Sequence, residues 1–221
     1  MKTVCLLSGG LDSATLLHHL HAAGEELVAL SFRYPSRHNA RELSCAAKQA
    51  STLGVTHRVI ALDGVFEAFR STLLASSAED VPDGHYEDES MRSTVVPFRN
   101  GIFLSVAVGL TESLGCDTVA YGCHAGDNAV YPDCRPEFVY AMKGAVERGS
   151  YRRVTIDTPF IKWRKRDVVA TAVRLGVPLH ETWTCYRGGD RHCGRCGSCQ
   201  ERILAFAEVG VIDPVKMEVA T

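Results

Sequence analysis

Two groups of residues in this chain have the types and spacing to do chemistry. The first is Ser8-Gly9-Gly10-Leu11-Asp12-Ser13, placed where a short β-branched and apolar run, residues 2–7, gives way to a helical pattern over 13–23. At such a handover the backbone N–H groups and the positive end of the helix converge on one point, and an anion belongs there. Glycines let the backbone approach a phosphate, the Ser8 and Ser13 hydroxyls can donate to its oxygens, and Asp12 can hold a Mg²⁺ that bridges them. The blander use of the same residues is a strand-to-helix turn with Asp12 or Ser13 as the helix cap. The loop is not a Walker A sequence, which needs a Lys after the second Gly, nor a Gly-x-Gly-x-x-Gly dinucleotide turn.

The second group is Cys185, Cys193, Cys196 and Cys199, set in a glycine-rich stretch. Four soft ligands in so short a segment predict a closed tetrahedral metal site within residues 183–202. Zn²⁺ is the expected ion, and a site filled by four thiolates favours a structural role; an iron–sulfur cluster is the lesser alternative. Cys5 and Cys45 fall on apolar strand and helix patterns and read as small core residues. Cys116, Cys123 and Cys134 read as structural too, although a sulfur-transferring enzyme would need a cysteine near the fourth strand, where the last two fall. His18, His19 and His21 share no face with a carboxylate or a thiol and read as helix-surface residues.

These groups need elements to hold them. Strands are expected over 2–7, 27–33, 58–62, 118–121 and 154–157, and helices over 13–23, 38–53, 65–74, 99–114, 136–148, 165–175 and 200–208, with Gly54 and Gly115 as stops. Strands alternating with helices of this length predict an α/β fold, a parallel sheet covered on both faces, here with a small C-terminal zinc-binding region built on the four cysteines. At 221 residues one domain over 1–221 is expected. Residues 75–93 break the rhythm with Glu79, Asp80, Asp83, Glu87, Asp88 and Glu89. They read as a long mobile loop, either a lid or a solvated excursion.

Apolar residues are 46% and charged residues 23%, too apolar a mixture for a disordered chain. No run of consecutive apolar residues reaches the roughly 18 needed to cross a bilayer. A formal charge of -2 offers polyanions no overall attraction, so no nucleic-acid or membrane partner is expected. Nine cysteines without an export signal fit reduced thiols and a cytoplasmic setting.

The Ser8–Ser13 loop resembles the pyrophosphate loop of the ATP pyrophosphatases. Further motifs make the chain similar, over nearly all its length, to the 7-cyano-7-deazaguanine synthase family: Val96-Pro97-Phe98-Arg99-Asn100-Gly101, Tyr131-Pro132-Asp133-Cys134-Arg135-Pro136, Thr158-Pro159-Phe160-Ile161-Lys162, and Trp183-Thr184-Cys185-Tyr186. The Tyr-Pro-Asp-Cys-Arg run discriminates most, and Tyr34-Pro35-Ser36-Arg37-His38 departs from the family's usual Tyr-Gly-Gln-Arg-His. The resemblance implies an ATP-dependent ligase that converts 7-carboxy-7-deazaguanine and ammonia to the 7-cyano base through an adenylated acid and an adenylated amide. It further implies that the sheet is Rossmann-like and that the protein is a homodimer, with Mg²⁺ accompanying the ATP at Asp12 and one Zn²⁺ on the four cysteines. By residue, Ser8 to Ser13 with Arg99 and Asn100 would bind ATP, and Asp12, Ser13 and Lys162 would serve the transfer. Tyr131, Asp133 and Arg135 would hold the base and its carboxylate. A tRNA thiolase of the same superfamily, and a zinc-stabilised nucleotide-binding adaptor without turnover, are the competing readings.

Overall fold

The computed structural model describes residues 1–86 and 88–218; Glu87 of the acidic stretch, and 219–221 at the end of the expected domain, lie outside the described residues. Five strands, β1 (Lys2–Leu6), β2 (Glu26–Arg33), β3 (Thr56–Ala61), β4 (Thr118–Ala120) and β5 (Thr155–Asp157), lie in the order β3-β2-β1-β4-β5. Every pair is parallel, and Val4 at the centre of the sheet stands opposite both Val28 and Val119. Parallel neighbours cannot be joined by a hairpin, so each connection must cross over the sheet. The helices α1 (Leu11–Ala22), α2 (Asn39–Thr52), α3 (Asp63–Phe66), α4 (Arg99–Ser113), α5 (Pro136–Gly149), α6 (Lys165–Arg174) and α7 (Gly197–Val209) lie between and after them.

The two faces of the sheet have separate apolar layers. Leu16 and Leu17 of α1, Ala46 of α2, Val168 and Val169 of α6 and Phe206 of α7 pack together on one side. Leu104 and Ala107 of α4, with Val139 and Val146 of α5, cover the other. Because the chain leaves β1 for α1 and β4 for α5, on opposite faces, the connections part company at the carboxyl ends of these two strands. A crevice must open there, the place where parallel α/β sheets bind ligands. Gly54 and Gly115 stop α2 and α4 as expected, both with positive φ, a conformation in which a Cβ would be strained.

Two segments differ from their sequence pattern, and a third has a composition that needs its fold to explain it. The periodicity over 65–74 predicts a helix, yet only Asp63–Phe66 coil. Beyond them the backbone bonds are long-range: Arg37 N–H donates to Leu73 O at 2.9 Å and Thr72 N–H to Ser93 O at 2.9 Å. Leu73 and Leu74 are buried beside Tyr34 and Phe66, so packing overrides local propensity. The acidic stretch is anchored rather than loose. Val81 and Met91 are buried, Asp83 forms an isolated antiparallel bridge with Cys196, and Gly84 N–H donates to Arg195 O at 3.1 Å. Glu79, Asp80, Asp83, Asp88 and Glu89 face water while Val81 and Met91 serve as anchors. Finally, Glu89–Ser113 is long and apolar enough for a membrane span by composition, which the count of consecutive apolar residues misses. Phe98, at φ 55, breaks it into a 3₁₀ turn and the 15-residue α4, whose Leu104 and Ala107 face the sheet.

His18 is buried and bonded to Gln49 Oε1 at 3.0 Å, and His19 packs edge-on to Phe160 and Trp163. Neither is the surface residue expected. Both hold α1 against its neighbours. Arg202 of α7 is fully buried, with its guanidinium donating to both oxygens of Asp213 (2.7 and 2.9 Å), to Thr182 and Thr184 hydroxyls and to Leu179 O. It ties the segment leading into the cysteines to α7 and to the chain that follows. Arg202→Ala leaves Asp213 without its partner, and the unfolding free energy measured in urea should fall by about 3 kcal/mol or more.

Candidate active site

The loop after β1 is the tightest part of the molecule. Gly9 has φ +90, and a Cβ there would lie 2.1 Å from Glu42 O and 2.7 Å from Ala46 N of α2. Only glycine allows that approach. Ser13 organises the turn: its Oγ accepts from Ser8 N–H at 3.1 Å and Gly9 N–H at 3.2 Å and lies 3.0 Å from Ser8 Oγ. Ser8 Oγ accepts from Gly10 N–H at 3.2 Å. The N–H groups of Leu11, Asp12 and Ser13, in the first turn of α1, have no partner within the helix. They offer the anion cradle that the residue types predict.

This loop floors a cleft of about 220 Å³ at the carboxyl ends of β1, β2 and β4. The exit of β4 presses against it, since a Cβ on Gly122 would lie 3.3 Å from the Asp12 backbone. Asp12 Oδ2 accepts from Lys165 Nζ at 2.7 Å, and Lys165 Nζ also reaches Glu201 Oε2 at 3.0 Å. His124, fully buried, accepts from Gly126 N–H at Nδ1, which leaves the proton on Nε2. That nitrogen lies 3.6 Å from Asp12 Oδ1, 3.7 Å from Asp127 Oδ1 and 3.9 Å from Glu201 Oε1. Burial raises the Asp12 pKa, but Lys165 and His124 outweigh it and hold the carboxyl below its usual value. Burial alone would lower Lys165; Asp12 and Glu201 reverse this and keep it a cation. Asp12 Oδ1 is buried without a hydrogen-bond partner.

The opposite wall is aromatic. Tyr131 is buried with its hydroxyl 2.9 Å from Tyr186 OH and 3.1 Å from Thr94 Oγ1, and Tyr86 OH donates to Asp127 Oδ1 at 3.0 Å. Arg99, first residue of α4, donates to Tyr34 OH at 3.1 Å. Asn100 also lines the cleft, its amide 3.2 Å from Cys134 Sγ. Glu42 and His38 complete the wall, on α2 and just before it. Burial pushes the Glu42 carboxyl up to about 8 and the His38 imidazole down to about 4, so both are neutral groups near pH 7.

Three residues named from sequence lie elsewhere. Lys162 is exposed and outside the cleft; the lysine that reaches the loop is Lys165, three residues later, on the first turn of α6. Asp133 is buried but uses its Oδ2 to accept from the N–H of Asn100 at 2.8 Å, capping α4. Arg135 is exposed and donates to Asn128 O at 2.9 Å. The alternation of buried and exposed residues around this turn sends Tyr131 inward and Arg135 outward. Lys165, His124, Glu201, Asp127 and Glu42 were not named from sequence. His124 and Asp127 form one capping box at the 3₁₀ turn over Ala125–Ala129, while Lys165, Glu201 and Glu42 come from three separate helices.

The cysteines Cys185, Cys193, Cys196 and Cys199 are buried with their sulfurs all within 4.8 Å of one another. Tetrahedral thiolates on a bond of ~2.3 Å stand about 3.8 Å apart, so the set fits one metal ion. Cys185 Sγ accepts from Cys193 N–H at 3.4 Å, and Cys193 Sγ accepts from Arg195 N–H at 3.4 Å and Cys196 N–H at 3.3 Å. Such bonds stabilise sulfur in its anionic form. The knuckle also builds the cleft. Trp183 N–H donates to Gly9 O at 3.0 Å, Tyr186 and Ser198 line the cavity, and Cys196 stands before α7, which carries Glu201.

A phosphate cradle at the switch point of a parallel sheet, with a buried Asp–Lys pair beside it, defines a nucleotide-binding α/β protein of the PP-loop kind. The match to the family described as Queuosine biosynthesis protein QueC runs over residues 2–210, and the chain belongs to that family. Curated relatives named 7-cyano-7-deazaguanine synthase include those of Marinobacter nauticus, 47% identical over 98% of this chain and 97% of the relative, and Porphyromonas gingivalis, 46% identical over 98% and 97%. The relatives' shared name makes this a family of enzymes. Among solved structures, U34-tRNA thiolase NcsA from Methanococcus maripaludis, with its 4Fe–4S cluster, matches with TM-score 0.52 at 15% identity over 85% of this chain and 62% of that one. NMN synthetase from Francisella tularensis matches with TM-score 0.50 at 13% identity over 100% and 79%. These likenesses show the fold.

Two outcomes follow from this geometry. Gly9→Ala should abolish nucleotide binding measured by calorimetry, because its Cβ has no room beside α2. Cys196→Ser should release bound metal, read by elemental analysis, and lower Tm by several degrees, as expected where metal binding is coupled to folding.

Proposed function

We propose that this protein makes 7-cyano-7-deazaguanine from 7-carboxy-7-deazaguanine, ammonia and two molecules of ATP. The observation that carries the reading is the Ser8–Ser13 cradle with Lys165 beside it, in a chain whose relatives share the name of that synthase. In the first half, a carboxylate oxygen of the base bonds to the α-phosphorus of ATP, and pyrophosphate leaves into the cradle. The ammonia lone pair then forms the C–N bond, AMP departs with the C–O bond electrons, and a proton is lost, leaving the amide. In the second half the amide oxygen attacks the α-phosphorus of another ATP. Loss of a second pyrophosphate, then of AMP and the remaining amide protons, leaves the nitrile.

Nothing in this sequence requires a protein nucleophile. What it requires is placement and a compensated negative charge. The N–H groups of Leu11, Asp12 and Ser13 and the Lys165 ammonium would supply the charge; the tyrosine wall and Arg99 would orient the base. Asp12, with its unpartnered buried Oδ1, suits Mg²⁺ accompanying ATP, which when bound would neutralise the phosphate oxygens. The four sulfurs suit Zn²⁺ in a structural role. Burial pushes the Cys123 thiol up to about 12 and raises that of Cys134, which speaks against the sulfur-carrying cysteine that a thiolase would use. A cytoplasmic setting agrees with this reduced-thiol chemistry.

The test is direct. Metal-loaded protein given Mg-ATP, ammonium and the carboxy base should release AMP only when the base is present, and the product should have the nitrile's mass. AMP release that instead needs tRNA and a sulfur donor, or no AMP release at all, would overturn the reading. Lys165→Ala should lower kcat/KM for ATP by about 100-fold, whereas Lys162→Ala should leave it within a factor of about three.

A further inference from the structure

Four carboxyl groups line the cleft: Asp12, Glu42, Asp127 and Glu201. Three already accept. Asp12 and Glu201 share the Lys165 ammonium, and Asp127 takes Tyr86 OH and the N–H of His124. Of these four, Glu42 alone has no hydrogen-bond donor among the described residues; His38 Nε2 stands 3.7 Å from its Oε2. The Glu42 backbone is pressed against the loop, since a Cβ on Gly9 would lie 2.1 Å from Glu42 O, and its side chain is only 17% exposed. A carboxyl held in place, desolvated and left without a donor is a group waiting for one. The chamber beside it suits a flat ring, since Phe32, Tyr34 and Phe103 line the same cleft, with Phe32 stacked on Phe103 at 4.3 Å and Tyr34 edge-on to it at 5.5 Å.

We infer that Glu42 is the specificity-determining acceptor for the substrate base, taking the ring N–H and exocyclic amino group of its guanine-like edge on its two carboxylate oxygens. This assignment rests on the proposed function and replaces Asp133, whose carboxylate is used to cap α4. Two parallel donors match the two oxygens of one carboxylate, and a base lacking the amino group leaves one oxygen unpaired. The charged and titratable groups facing Glu42 are His38 just before its own helix and Cys45 on it, Tyr34 after β2 and Arg99 of α4, while Tyr186 of the cysteine-rich segment backs His38 through its carbonyl. Of these only Arg99 is positive near neutrality, and it favours the ionised form.

The acceptor role needs Glu42 ionised. In the free protein burial holds its pKa at about 8, so affinity for the base should rise with pH up to about 8 and level off above. His38, down at about 4, titrates outside that window. The experiment is calorimetric titration of the metal-loaded protein with 7-carboxy-7-deazaguanine, with its analogue lacking the 2-amino group, and with ATP, for the natural chain and Glu42→Gln. We expect Glu42→Gln to weaken base binding by about 100-fold, to flatten its pH dependence and to bind both bases alike. ATP affinity should stay within a factor of about three. The natural chain should prefer the amino base. Equal base affinity in Glu42→Gln, or loss of ATP affinity in place of base affinity, overturns the inference; in the natural chain, indifference to the amino group does the same. A natural chain that binds no base, and releases no AMP in its presence, sinks the proposed function and this inference with it.

Discussion

The close approach of the Gly9 backbone to α2 is the constraint on which the rest of the site depends. With φ at +90 and no room for a Cβ, the loop lies flat against Glu42 O and Ala46 N. Its own carbonyl then faces Trp183 N–H. One residue without a side chain thus joins three parts of the chain: the first strand-to-helix turn, the second helix and the cysteine-rich segment. If the loop stood further out, the amides of α1 would point into solvent. Glu42 and Lys165 would then no longer face the same volume.

The electrostatics of the cleft follow a similar economy. The Asp12–Lys165–Glu201 group is largely buried, and removing charges from water is costly unless they are paired. Here one ammonium serves two carboxylates, and His124 contributes a fixed N–H edge because Gly126 occupies its other nitrogen. A site held ready for a polyanion cannot already be neutral in every direction. Asp12 Oδ1 is an acceptor with no hydrogen-bond donor, and the first-turn amides of α1 have no helical acceptor. Glu42 lines the same cleft under different conditions, desolvated with no cation bonded to it, and its affinity for a proton rises accordingly. Two carboxyls of one cleft thereby differ in their affinity for a proton through their surroundings alone.

The four-cysteine knuckle extends the argument to the periphery. Its N–H to sulfur bonds order the turns around Cys193 and Cys196, and the Asp83–Cys196 bridge brings the acidic stretch down onto it. Arg187 reinforces that contact through Val81 O and Asp83 Oδ1 at 2.8 and 2.7 Å. Tyr86 follows and reaches Asp127 in the cleft. The four-cysteine cluster is therefore continuous with the aromatic wall.

Much of this was legible in the residues themselves. Alternation of apolar strands with amphipathic helices implied the parallel sheet, and the Ser-Gly-Gly-x-Asp-Ser turn and the cysteine spacing are local patterns whose chemistry depends on neighbours in sequence. What sequence could not decide was which side chains from distant elements meet. Lys162 and Lys165 are near-equivalent when read along the chain; only the start of α6 turns the second toward Asp12. Asp133 and Arg135 carry the right groups for a base and its carboxylate, but a 3₁₀ turn after Tyr131 aims one at the α4 amides and the other at solvent. Local pattern determines where backbone donors gather, because they belong to one turn. The partners of a buried charge are decided by packing, because desolvation selects whichever opposite group the fold brings within reach.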